Sequence, residues 1–194
     1  MSRFLGKFFL LIGPSGVGKG TIIKELKKRH SDWLFPISVT TRSKRPGEIE
    51  GKTYYFFSKK EFKKKEKMGE FLETACVHDD NYYGILKETI FQALREGKII
   101  FREVDIQGAE TIKKKIASEN LITIFLLPPS LEILKKRITQ RSPLKKEEVL
   151  QRMHSAKIEI KKASKCDFIL QTEDQKVEKT VQDVEKIIKI KMNF

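Results

Sequence analysis

Seven residues near the N-terminus, Gly13-Pro14-Ser15-Gly16-Val17-Gly18-Lys19, narrow the possible folds sharply. They follow the apolar run Phe8-Phe9-Leu10-Leu11-Ile12 and precede a segment of helical period, about Thr21 to Arg29, with Ile22, Ile23 and Leu26 on one face. The order is strand, glycine-rich turn, helix. Glycines let the backbone curl so that consecutive N–H groups face inward at the positive end of the helix, where a phosphate can sit. Lys19 adds a point charge that can follow a phosphoryl group. The usual pattern closes on Gly-Lys followed by Ser or Thr. Here Gly20 takes that place and Thr21 comes one later. The nucleotide contacts expected from this segment are Gly13, Pro14, Ser15, Gly16, Val17, Gly18, Lys19, Gly20 and Thr21. Such a loop serves ATPases, GTPases and kinases alike, so it implies phosphate binding without specifying a reaction.

Composition limits the rest. The chain has 194 residues, enough for one compact domain with small inserted lobes. Forty Lys and Arg against 26 Asp and Glu leave a formal net charge of +14, which favours an anionic partner. Cys76 and Cys166 are far apart and form no CxxC pair, so a reducing cytoplasm fits better than a disulfide framework. No stretch approaches the ~20 apolar residues of a membrane helix, and a soluble protein is expected.

Strands are expected at Phe8–Ile12, Ile99–Val104, Leu121–Leu127 and Phe168–Leu170. Helices are expected at about Lys87–Arg95, Ala109–Ile116, Leu131–Thr139, Lys146–Lys162 and Val177–Ile190. This alternation implies an α/β fold with a mainly parallel sheet covered on both faces. Residues about 36 to 86 break the rhythm. Their short β-like runs, Ile37–Thr40 and Thr53–Phe57, suggest a small mixed lobe inserted after the first helix. The lysine-rich stretch Lys59 to Lys67 reads as a solvated helix face. It lacks aromatics arranged to stack on bases, so nucleic acid is not an expected partner.

A second basic segment, Ser38 to Phe56, carries Arg42 and Arg45 with hydroxyls before them and Tyr54 after. Arginine forks and a tyrosine hydroxyl can wrap a terminal phosphate. Thr40-Thr41-Arg42, Arg45, Glu48, Gly51, Tyr54 and Phe56 closely resemble the guanylate kinase signature. The resemblance extends along almost the whole chain, through Phe71-Leu72-Glu73, Asn81-Tyr82-Tyr83-Gly84, Asp105-Ile106-Gln107-Gly108, Pro128-Pro129-Ser130 and the series Arg137, Arg141, Arg152. The Gly-Lys-Gly-Thr ending of the loop is likewise familiar among nucleoside monophosphate kinases.

The resemblance implies a three-layer P-loop NTPase core, a mixed β GMP-binding lobe and a helical lid. The core would take about 1–35, 87–137 and 165–194, the lobe about 36–86 and the lid about 138–164. It implies transfer of the γ-phosphoryl group of ATP to GMP with Mg²⁺, in a cytoplasmic monomer or homodimer. Arg42, Arg45, Tyr54 and Tyr83 would hold the GMP phosphate, with Glu48 beside them, while Ser38, Glu73 and Asp105 would read guanine. A carboxylate at Glu73 suits the N1–H and 2-amino donors of guanine and leaves adenine without a partner. The minor alternatives are a surface acid at Glu73 and a helix cap at Asp105, near the end of its strand. Glu103 and Asp105 would hold Mg²⁺ through its water shell. Lys19, Arg42, Arg137, Arg141 and Arg152 would neutralise charge on the transferring group.

Four departures from the family pattern stand out. Ile85 replaces a hydroxyl residue after Tyr83-Gly84. Asp79-Asp80 adds one residue before Tyr83. Arg102 interrupts an apolar strand and is expected to reach solvent at the strand end. Gln171-Thr172-Glu173 replaces Asn-Asp-Asp near the adenine. Scaffold-type relatives have typically lost the phosphate loop, whereas Gly18 and Lys19 are intact here.

Overall fold

The computed structural model describes residues 4–77, 80–141, 145–174 and 176–192, and the side chains of Val77 and Arg141 lie outside that description. In chain order the elements are β1 (Lys7–Ile12), α1 (Lys19–Arg29), β2 (Val39–Thr40), β3 (Tyr55–Phe56), α2 (Lys59–Lys67), β4 (Phe71–Val77), β5 (Asn81–Leu86) and α3 (Lys87–Arg95). There follow β6 (Ile99–Glu103), α4 (Ile106–Lys113), β7 (Leu121–Leu127), α5 (Leu131–Arg141), α6 (Lys146–Lys161), β8 (Phe168–Gln171) and α7 (Val177–Met192).

The main sheet is parallel throughout, in the order β6-β1-β7-β8. Phe8 to Ile12 of β1 are fully buried. Side chains on a strand alternate between faces. Phe8, Leu10 and Ile12 accordingly join one core with Ile90, Leu94 and Ile112, while Phe9 and Leu11 join another with Leu26, Val181 and Val184. One strand feeding two cores is what a three-layer α/β fold requires. The expected helix at Ala109–Ile116 begins earlier, at Ile106, because Asp105 Oδ1 accepts the Gly108 N–H at 2.7 Å and caps it.

The inserted lobe is a second sheet, β3-β2-β5-β4, with β2 and β3 parallel and the other pairs antiparallel. Leu34 bridges Ile100 just before the chain leaves the main sheet for this lobe. Its own small core is Val39, Phe62 and Phe71, with the Phe62 and Phe71 rings stacked at 4.4 Å. The lysine run forms α2, a solvated helix anchored by the one fully buried side chain Phe62 and started by Ser58, whose Oγ accepts the Glu61 N–H. Of the acidic pair Asp79-Asp80, Asp79 lies outside the described residues. Asp80 takes φ 59°, accepts the Tyr82 hydroxyl at 2.6 Å and pairs with Lys59 at 2.8 Å. Ile85 is buried beside Leu72 in the main core.

Strand period decides the fate of Arg102. On β6, Ile99 and Phe101 face one core and Ile100 faces the other, which also receives Leu72 and Ile85 from the lobe. Arg102 falls on the face of Ile100, towards the lobe. The expectation that it reaches solvent is therefore wrong: its side chain is only 16% exposed and is bonded to Glu73 and Ser38.

Candidate active site

The turn between β1 and α1 opens into a cavity of about 960 Å³, lined by Gly13, Ser15, Gly16, Gly18, Lys19, Gly20 and Thr21 together with Glu103, Asp105, Arg137 and Glu159. Gly13 sits at φ 148°, and a Cβ there would come within 2.7 Å of the Leu126 carbonyl oxygen, so β7 packs too closely for any side chain. Gly18, at φ 113°, precedes the first turn of α1. The Lys19 ammonium lies over the loop and donates to the Gly13 carbonyl at 2.5 Å and the Pro14 carbonyl at 3.2 Å. Glu103 comes from the end of β6, with both carboxylate oxygens 3.8 Å from where a Cβ on Gly20 would stand. Gly20, at the shifted motif position, thus stands beside that carboxylate.

Sequence reasoning missed Glu159. It lies on α6 and lines the same cavity; burial pushes its carboxyl up, Lys19 draws it down and Asp105 raises it again. Its surroundings in the sequence are a charged helix, which carries no spacing signal for a site.

The second basic segment folds into a compact clamp. Arg42 NH1 donates to Glu48 Oε2 at 2.7 Å and to the Ser43 carbonyl at 2.9 Å, and NH2 donates to Glu48 Oε1. The Arg45 backbone N–H donates to Glu48 at 2.8 Å. The Arg42 hydrogen bonds, joined by the Arg45 amide, hold the Glu48 carboxyl down at about 2. Bonding to Glu48, and also to Tyr83, raises the Arg42 guanidinium above its ordinary value. That guanidinium lies 5.1 Å from the Tyr54 ring centre, and the Tyr54 and Tyr83 rings meet edge to face at 6.0 Å. Arg42, Tyr54 and Tyr83 are thus brought together, and Glu48 orients Arg42.

Glu73, from β4, is buried and pairs with Arg102 NH2 at 2.8 Å, while Arg102 NH1 donates to Ser38 Oγ at 3.1 Å. Asp105 reaches the phosphate cavity while also capping α4. Arg137 spans the loop, donating to the Val17 carbonyl at 3.2 Å and to Asp174 at 2.9 Å. Arg152 pairs along its own helix with Glu148 at 2.7 Å and does not line the phosphate cavity. The Arg141 side chain lies outside the described residues. A smaller cavity of about 280 Å³ beside the loop is lined by Arg137, Thr172, Glu173 and Asp174. Thr172 is buried there and donates to the Leu127 carbonyl at 2.9 Å.

A parallel sheet whose central strand runs through a glycine loop into α1, with a lysine folded over that loop, defines a P-loop nucleotide-binding protein. Comparison with known proteins makes the assignment narrower. The guanylate kinase family model matches residues 6–191. A guanylate kinase of Prochlorococcus marinus is 43% identical over 95% of this chain and 98% of its own, and one of Carboxydothermus hydrogenoformans is 40% identical over 94% and 87%. The crystal structure of guanylate kinase from Anaplasma phagocytophilum superposes with a TM-score of 0.74 at 28% identity, covering 99% of this chain and 89% of that one. The chain belongs to the guanylate kinase family. Among the described residues, no helix is long and apolar enough to cross a membrane.

Proposed function

We propose that the chain transfers the γ-phosphoryl group of ATP to GMP, giving ADP and GDP. The observation that carries this reading is the pairing of two anion sites of different construction within one family-matched fold. One is the glycine loop with Lys19; the other is the Arg42–Tyr54–Tyr83 clamp on the inserted lobe. The loop suits a chain of phosphates, because it offers backbone N–H groups at a helix start. The clamp suits one terminal phosphate, with Arg45 as its second arginine. Ser38 and Glu73 would read guanine.

The GMP phosphate is already an ionised nucleophile, so the chain's work is positioning and charge neutralisation. Lys19 and Arg137 border the cavity for the transferring group. Arg141 and Arg152 would join them only on movement of the lid. The cavity beside Thr172, Glu173 and Asp174 is assigned to the adenine. Glu103, Asp105 and Thr21 offer oxygens around the loop, yet among the described residues no cluster of three or more His, Cys, Asp or Glu could cage a metal. That donor set fits Mg²⁺, which keeps several waters and binds through one or two carboxylates plus substrate phosphates. The ion would neutralise charge on the phosphates when bound. A coupled ADP-release assay with GMP, AMP, CMP and UMP tests the reading. Turnover with GMP well above the others is expected; equal rates with AMP, or none with GMP, would sink it.

A further inference from the structure

Arg102 belongs to neither phosphate site, yet its side chain is held inside the lobe junction. Its fork spans the two side chains assigned to the base: NH2 donates to Glu73 Oε1 at 2.8 Å and NH1 donates to Ser38 Oγ at 3.1 Å. Its Nε is buried with no hydrogen-bond partner. A buried donor left unpaired is rare in native structures.

The two terminal nitrogens of the fork fix the polarity of both partners. A serine hydroxyl has one donor hydrogen and two acceptor sites, and a carboxylate accepts only. With one Ser38 lone pair taken by Arg102 NH1, the hydroxyl hydrogen turns outward and Ser38 presents its donor, with a single acceptor site remaining. With Oε1 of Glu73 bonded to Arg102, the carboxylate keeps its charge compensated and offers Oε2 as an acceptor. The result is a donor beside an acceptor. A 6-oxopurine presents the complement, an oxygen acceptor at position 6 beside the N1–H donor. A 6-aminopurine presents the reverse, a 6-amino donor beside an N1 acceptor.

We propose that Arg102 is a positioning residue for base selection: it turns the Ser38 hydroxyl hydrogen towards the base and fixes the acceptor Glu73 beside it, so that the site favours 6-oxopurine nucleotides over 6-aminopurine ones. This rests on the guanine assignment of Ser38 and Glu73 made above. Neither the phosphate loop nor the Arg42 clamp takes part, so phosphate binding should be left intact by changes at position 102.

The test is steady-state kinetics of Arg102→Met with GMP, IMP and AMP as acceptors, alongside Glu73→Gln and Ser38→Ala. In Arg102→Met, KM for GMP and for IMP should rise together by about tenfold or more, with kcat and the KM for ATP little changed. The GMP/AMP ratio of kcat/KM should fall by at least about tenfold. A role in folding alone would lower kcat and the melting temperature without moving that ratio. An unchanged ratio, or a lower KM for GMP, overturns the inference. If Glu73→Gln and Ser38→Ala raise KM for GMP while Arg102→Met leaves the ratio alone, only the role of Arg102 fails. If none of the three variants moves KM for GMP, the guanine assignment itself fails. Should Arg102→Met not fold, Arg102→Lys carries the test. It keeps the charge but cannot bridge both partners, so the ratio should fall part of the way, and the full parental ratio would overturn the proposal.

Discussion

Lys19 and Gly13 illustrate how much rests on single residues of the loop. Lys19 is held by main-chain carbonyls of the loop itself, so its removal should spare the fold. Lys19→Ala is expected to cut turnover by about 100-fold or more in the coupled assay while circular dichroism and melting temperature stay near the parent's. Gly13→Ala should behave in the opposite way. Its Cβ would meet the Leu126 carbonyl oxygen at 2.7 Å in a left-handed backbone, so unfolding free energy should drop by about 2 to 3 kcal/mol in a urea titration. Motif spacing reveals both residues to a reader of the sequence. It does not reveal Glu159, because nothing in a run of charged helical residues marks which one turns towards Lys19. Nor does it place Arg102, which interrupts an apolar strand and looks like a solvent-seeking end until the lobe is folded against that face.

Among the elements, α2 and the β2–β3 connection decide whether the inserted lobe holds its shape. The lysines of α2 lie largely on its solvent side, and Phe62 is its one fully buried side chain, stacked on Phe71 and 5.5 Å from the Tyr82 ring. Phe62→Ala should cost about 3 kcal/mol of stability, read by thermal or urea unfolding, and raise KM for GMP more than KM for ATP, because the damage stays in the lobe. The β2–β3 connection depends on Glu48. Its carboxyl is lowered from 4.5 to about 2 by Arg42 and the Arg45 amide. A folded-state value below the unfolded one means that the contribution is present above pH 4.5 and is lost as pH falls through about 2. The stability difference between the parent and Glu48→Gln should therefore be largest near neutrality and vanish as urea titrations approach pH 2. The regular elements are largely legible in the sequence: the β1 run and the helix periods match what forms, to within a few residues. The lobe is legible only as a break in rhythm, because β2 and β3 are two residues long and exist only through their partners on β5 and on each other.

As a whole molecule the protein presents two charged sites on separate sheets and an arginine, Arg152, that still points along its own helix. Closure of lobe and lid is the motion that would bring these parts together and exclude water from the transfer. Solution scattering should show a smaller radius of gyration with both nucleotides bound than with neither; an unchanged profile would contradict closure. The formal charge of +14 should also act at this scale. Raising ionic strength from ~0.01 M to ~0.15 M shortens the Debye length from about 30 Å to about 8 Å, so kcat/KM for GMP should fall several-fold with kcat little changed. Phosphate loop, clamp residues and layer order follow from local chemistry: glycine tolerance of unusual backbone, arginine forks, and hydrophobic periods that each element carries within itself. Which carboxylate meets which arginine does not follow from it. Arg102 and Glu73 lie 29 positions apart, and Arg102 and Ser38 lie 64 apart. They meet only because β6 shows one face to the lobe, which the packing of two sheets decides and no local pattern contains.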